Sequence, residues 1–351
     1  MNHPGSSLEK ELRKSEMSRK ELAIRTGVTE KHICTIINGD RDITVAFARK
    51  LGCVFHDTSY WLSLQEAYDE EQLRIQEEKD ISPNEIELLR PLHEIVSYLI
   101  ARNYLQSVSH EKNLVLQLRK LLKICNLTSI PNIAFSDAYQ NQLSENANAD
   151  PYVLFAWQRI CEIETESIHT ANEYNKCSLL SKIDKMKELM FGDIDDGIQP
   201  LQGLLSEAGI AFQVIKNFRG APVQGYIGKR PDKSLSLCLS FRWQRADLFW
   251  NNLFHLIGHI INQDFTTRYT DFERNQSDSE KKADNFRNNT LIDPAQYKGF
   301  TLTRNDFSWK DICSFAQSMK IPPFMVLSRL QEDKILDWTD YPEEQVKYLW
   351  G

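Results

Sequence analysis

The sequence lacks any apolar run approaching the roughly 18 consecutive residues of a membrane-crossing helix, so a membrane partner is not expected. Its opening residues, Met1-Asn-His-Pro-Gly-Ser-Ser7, lack the charged-then-apolar pattern of an export signal. Cysteine is sparse and unpatterned. The seven cysteines, at positions 34, 53, 125, 161, 177, 238 and 313, are odd in number and none forms a C-x-x-C pair. That argues against a disulfide framework and against a cysteine zinc site, and makes a reducing cytoplasm the expected compartment. A strong charge of one sign is also missing. The net charge of −7 argues against a uniformly basic coat for nucleic acid, although a local basic surface remains compatible with it. There is no internal repeat. What remains is an ordinary globular composition, 41% hydrophobic and 26% charged over 351 residues, enough for two or three domains with their own cores.

The first informative stretch is N-terminal. Leu8 to Glu16 reads as a short helix. Ser18 then stands as an N-cap with Glu21 three residues later, the pattern of a capping box, and the helix it opens ends at Gly27. Thr29 caps a second helix that runs to Asn38-Gly39. The order Ala23, Gly27, Val28, Ile33, Ile36 is the spacing of a helix-turn-helix: the small Ala permits a close crossing and Gly27 supplies the turn. With Ile33 and Ile36 turned inward, Glu30, Lys31, His32 and Thr35 face outward, where a recognition helix meets base edges. Ser18, Asn38 and Arg41 are positioned for phosphates, and Thr29 belongs to the same DNA-facing set. Residues 1–60 hold ten Lys and Arg against eight Asp and Glu, so this is the relatively basic part of an acidic chain.

The turn Asn38-Gly-Asp-Arg-Asp-Ile-Thr44 and the stretch Trp61-Leu-Ser-Leu-Gln-Glu-Ala-Tyr-Asp69 resemble the HigA-type antitoxins, in which such a turn and closing helix follow the helix-turn-helix. The resemblance covers about residues 8–70. It implies a five-helix, lambda-repressor-like DNA-binding domain and a homodimer on an operator with an inverted repeat. It also implies a HigB/RelE-like toxin as partner.

From Asp69 to about Asp196 the periodicity is helical and no chemical motif stands out. Glu70 to Lys79 is a charged helix or linker. A helix restarts at Ser82 and runs through Ile100, another covers Lys112 to Ile124, and Asn141 to Ala149 reads as a polar loop. Asp150-Pro151 is an N-cap followed by proline at the first helical position. The turn-rich Gly192–Pro200 marks a boundary. The expected division is therefore 1–78, a helical connector over 79–195, and 196–351.

The last part holds three strand-like runs, Ile210–Ile215, Val223–Ile227 and Ser234–Ser240, followed by a helix carrying His255-Leu-Ile-Gly-His259. Histidines at i and i+4 share one helix face and both can reach one metal ion. In zinc peptidases the residue after the first histidine is a glutamate that acts as general base; here it is Leu256. The alternative is a pair of packed, hydrogen-bonded histidines on a buried helix. Phe249-Trp-Asn-Asn-Leu-Phe-His-Leu-Ile-Gly-His-Ile-Ile261, Glu280-Lys-Lys-Ala-Asp-Asn-Phe286 and Leu291-Ile-Asp-Pro294 resemble the zincin-like domain of the ImmA/IrrE metallopeptidases over about residues 200–330. That implies an α+β domain with a small sheet, with His255, His259 and Glu280 as metal ligands. Asp284, one turn beyond Glu280, would orient one imidazole.

Three departures from that family matter. Leu256 removes the base, which costs hydrolysis on the order of 10²- to 10⁴-fold. Arg287 replaces a small residue, and Asn288-Asn-Thr290 interrupts an apolar run. The expected protein is mostly α and has no catalytic residue; its cofactor is zinc or none. It is an antitoxin and autorepressor. The alternatives are a zinc endopeptidase that cleaves a repressor, or a phage-type repressor without a toxin.

Overall fold

The computed structural model describes residues 2–133, 149–242, 244–272, 277–303 and 306–348. Of the polar loop expected over 141–149, only Ala149 lies among them. The described residues are mostly helical, with one four-stranded mixed sheet in the C-terminal half. No described helix is long and apolar enough to cross a membrane. The chain divides into two compact units, residues 1–87 with 106–120 and residues 88–105 with 121–351, so the stretch 79–195 contributes to both.

The smaller unit begins with α1 (Pro4–Lys14), α2 (Arg19–Thr26), α3 (Glu30–Ile37), α4 (Val45–Gly52) and α5 (Thr58–Asp80). Side chains end most of these helices. Ser18, Thr29 and Thr44 each accept a hydrogen bond from the third residue of the helix they open, and Gly27 closes α2 at φ 60°. α1 starts four residues earlier than its apolar pattern suggests, because His3 caps it and Pro4 takes the first position. The reciprocal half of the capping box is not made: Glu21 accepts from Arg25 instead, at 2.7 Å. Leu8, Leu22, Ile33, Ile36, Leu51 and Trp61 are fully buried and form the core. The turn between α3 and α4 is held by one side chain. Gln65 of α5 accepts from Ile43 N at 2.8 Å and donates to Asp42 and Asp69.

A single helix from Ser82 to Ile100 is not formed. It is broken into α6 (Pro83–Glu87) and α7 (His93–Ala101), because Pro91 has no amide to donate and disfavours helical backbone at Arg90. α8 (Glu111–Leu122) follows, and its Arg119 pairs with the buried Glu85 within the smaller unit.

In the larger unit, α9 (Pro151–Glu166) is capped by Asp150 as its sequence requires. After α10 (Lys176–Ser181) and α11 (Ile183–Leu189) comes α12 (Ile194–Glu207), which begins inside the stretch that had read as a boundary. β1 (Ile210–Lys216), β2 (Val223–Lys229), β3 (Leu235–Phe241) and β4 (Arg268–Phe272) form a sheet in the order β1-β3-β2-β4. β1 and β3 are parallel; β2 is antiparallel to both β3 and β4. β4 has no counterpart among the three runs read from the sequence. α9 lies on one face, with Thr165 bonded to Ser236 at 2.8 Å and Gln158 to Thr270 at 2.8 Å. On the other face lies α13 (Ala246–Asn262), whose Leu256 covers Gly225 of β2. α14 (Asp278–Leu291) crosses α13, and α15 (Pro294–Leu302), α16 (Trp309–Met319) and α17 (Pro323–Glu332) complete the unit.

The α13–α14 crossing is close. A methyl group added at Gly258 would lie 2.9 Å from the backbone of Ala283. Gly258→Ala is therefore expected to lower stability by about 1–3 kcal/mol through overpacking. Gly203→Ala, in α12 with nothing within 4 Å of the added carbon, should be neutral or gain up to about 1 kcal/mol. Urea unfolding of the two variants checks the pair; equal midpoints would contradict the close crossing.

Candidate nucleic-acid interface and metal centre

On the smaller unit, α3 is pinned by Ile33 and Ile36, both at 0% exposure, and Lys31 stands exposed on the other side. Thr35 is half-buried, and its hydroxyl donates to His32 O at 2.8 Å, which leaves its oxygen able to accept. His32 is also half-buried, and its ring meets Phe47 edge-on with centroids 5.1 Å apart, so it belongs partly to the packing of the unit. Ser18 and Thr29 are exposed, and each hydroxyl oxygen is engaged as a cap, at 3.1 Å from Glu21 N and 3.2 Å from His32 N. Their protons remain free for an acceptor such as a phosphate oxygen. Asn38 and Arg41 are exposed on the turn that Gln65 anchors.

On the larger unit, the helical spacing and the close crossing bring His255, His259 and Glu280 together, with donor atoms all within 4.8 Å of one another. His255 Nε2 is 3.1 Å from His259 Nε2 and 3.2 Å from Glu280 Oε2; His259 Nε2 is 3.5 Å from Glu280 Oε1. Both imidazoles are held from behind. His255 Nδ1 meets Asp284 Oδ1 at 2.9 Å, and His259 Nδ1 meets Asp264 Oδ1 at 2.9 Å. A carboxylate on each Nδ1 takes that nitrogen's proton as a hydrogen bond and leaves the Nε2 lone pair aimed inward, the arrangement that orients metal-bound histidines. Two imidazoles and a carboxylate facing one point at this range suit a divalent cation. The donor set therefore fits zinc or a similar ion.

Three groups of this centre are not apparent from the sequence. Asp264 lies beyond the end of α13, brought back by Gln263 in the left-handed region at φ 55°. Tyr269 and Asp271 lie on β4, where the two-residue period turns both towards α13 and turns Thr270 towards α9. Tyr269 donates a short hydrogen bond to Glu280, and its oxygen is 3.1 Å from His259 Nε2. Asp271 is buried, its Oδ2 lies 3.7 Å from His255 Nε2, and that oxygen has no hydrogen-bond partner. Leu256, at 0% exposure, is part of the core over Gly225. Arg287 reaches across to Glu332 at 2.8 Å and so ties α14 to α17.

The electrostatics follow from that burial. Burial alone would depress His255, but the bonds to Asp284 and Glu280 outweigh it and raise it to about 10. His259 is raised in the same way, by Asp264 and Glu280 against burial. Burial pushes Glu280 up, yet its bonds from His255, His259 and Tyr269 bring it down to about 2. Asp271 is pushed up to about 7, chiefly by burial.

No family model matches the chain, and no curated protein does. A solved structure, described as an addiction module antidote protein of a HigA family from Coxiella burnetii, is similar over 23% of this chain and 96% of its own length, with 33% identity and a TM-score of 0.21.

The cluster predicts stabilisation by zinc. At a free concentration about 100 times the dissociation constant, an ion that binds only the folded chain adds about 2.7 kcal/mol. Calorimetric melting with and without zinc should show the shift in the natural protein and none in a His255→Ala/His259→Ala variant. Equal shifts in both would place the bound ion elsewhere.

Proposed function

We propose that this chain is a DNA-binding regulator of the HigA antitoxin type. It represses its own operator as a homodimer on an inverted repeat and neutralises a HigB/RelE-like toxin. The observation that supports this best is the setting of α3: it is anchored by two fully buried isoleucines, and it offers Lys31 and the acceptor face of Thr35 outward. A recognition helix needs that combination of a fixed inner face and a polar outer face. The turn beside it is locked to α5 through Gln65, so Asn38 and Arg41 are presented on rigid backbone, as phosphate contacts require. On this reading Ser18 and Thr29 add phosphate contacts through their free hydroxyl protons, and His32 acts mainly by packing.

The larger unit, on the same reading, keeps a divalent-metal centre of His255, His259 and Glu280 and does not use it for hydrolysis. Leu256 cannot take a proton, and it is built into the core over the sheet. The zinc-peptidase ligand set is thereby turned to binding, in the cytoplasm.

Operator binding by the full-length chain tests the first part. A Lys31→Ala/Thr35→Ala variant should lose about 1–3 kcal/mol at the operator and relax its preference there, while Arg41→Ala should weaken binding on all sequences and lower the salt slope by about 1. Undiminished operator affinity in the double variant would remove α3 from base reading.

Incubation with zinc or manganese and candidate repressor or toxin substrates tests the second part. No cleavage is expected. Chelator-sensitive cleavage that disappears in His255→Ala would put a peptidase in place of this reading.

A further inference from the structure

The donors of the metal centre do not stop at the three that helix spacing brings together. We propose that Tyr269 is the fourth donor of this centre, which makes it a closed site that clamps α13, α14 and β4 around a divalent ion. The proposal rests on the reading of the cluster as a metal centre.

Geometry carries it. Donors placed tetrahedrally at about 2.0–2.2 Å from zinc lie about 3.3–3.6 Å from one another. The two Nε2 atoms lie 3.1 Å apart, and Glu280 turns one oxygen towards each, Oε2 at 3.2 Å from His255 and Oε1 at 3.5 Å from His259, separations near such edges. Tyr269 Oη faces the same group: it is 3.1 Å from His259 Nε2 and donates to Glu280 Oε1. Its ring lies against that of His259, with centroids 4.3 Å apart, so the phenol oxygen is held in place by packing. Asp271 is the rival fourth donor. It approaches His255 Nε2 at 3.7 Å, farther than Tyr269 Oη stands from His259 Nε2. Both residues face α13 from β4, and the tyrosine has the longer reach.

The surroundings agree with a closed site. A catalytic zinc keeps one position open to water and substrate, whereas structural sites are four-coordinate and sealed. Here His255 is 7% exposed, His259 0% and Glu280 4%, and Asp271 beside them is 2% exposed. Coordination would take the phenol as its anion. The proton that Glu280 now accepts would pass to solvent, and Glu280 would turn from acceptor to ligand.

The experiment uses the full-length chain loaded with zinc, cobalt(II) or copper(II). The natural protein should bind one ion that His255→Ala does not bind, which tests the centre itself. With copper(II), the natural protein should show a visible tyrosinate-to-metal charge-transfer band, and Tyr269→Phe should lack it. Zinc affinity should fall about 10- to 100-fold or more in Tyr269→Phe. Loss of the hydrogen bond to Glu280 would also weaken zinc binding, so the band decides, and in the natural protein it needs no variant to fold. Copper bound through His255 without a tyrosinate band overturns the fourth donor and leaves the centre standing. No bound ion in the natural protein overturns both.

Discussion

The backbone-to-backbone approach of α13 and α14 at Gly258 and Ala283 is the constraint on which the larger unit's chemistry depends. Helices packed through large side chains stand about 8–10 Å apart. Here a glycine faces an alanine, and a carbon added at Gly258 would lie 2.9 Å from the Ala283 backbone, so no side chain fits between the two helices at this point. Each partner of the contact is bracketed by chemistry. His255 and His259 flank Gly258, and Glu280 and Asp284 flank Ala283. One short gap therefore brings both imidazoles to Glu280 and carries Asp284 to the back of His255. A wider crossing would leave the same residues on the same faces with none of these bonds.

That proximity has an energetic cost which the rest of the unit must offset. Two imidazoles and several carboxylates, taken out of water, are stable only as a fully connected set. Among the fully buried side-chain atoms of the cluster, one oxygen of Asp271 lacks a hydrogen-bond partner. The compensation is apolar. Trp250, Leu253, Phe254, Ile257 and Ile260, on the same helix as the histidines, are buried to 1% or less. α13 is apolar around most of its circumference; its two histidines face α14 and β4, and its Asn251 donates to Ser328 of α17.

Much of this was readable from local chemistry. Ser18, Thr29 and Asp150-Pro151 announce helix starts, and each caps as its residue type dictates. The i, i+4 histidines declare a shared face, and Asp284 does reach the outer nitrogen of His255. What was not readable depends on distant partners. β4 is a five-residue strand of mixed polarity, and it becomes a strand only by pairing with β2. Asp264 acquires its role from a left-handed residue that turns the chain back after the helix. The helix expected from Ser82 to Ile100 fails at one proline whose local effect outweighs an apolar period on both sides. Gln65 illustrates a third case. Its place in the stretch Trp61–Asp69 carries a resemblance, but only the structure gives the reason: its amide replaces a missing backbone partner in the turn before α4.

The pairing of Leu256 with Gly225 has a consequence for how this chain can change. A carbon added at Gly225 would lie 2.2 Å from Leu256 Cδ1 and 2.8 Å from the carbonyl of Cys238, so the leucine fills a space that the strand leaves open. A glutamate at position 256 would carry its charge into that dry core, where burial disfavours ionisation. Any side chain larger than hydrogen at 225 would in turn evict the leucine. The two positions depend on each other, and neither can change alone without a loss of stability. A single change at either position is thereby closed off, and only a paired one keeps the packing between helix and strand.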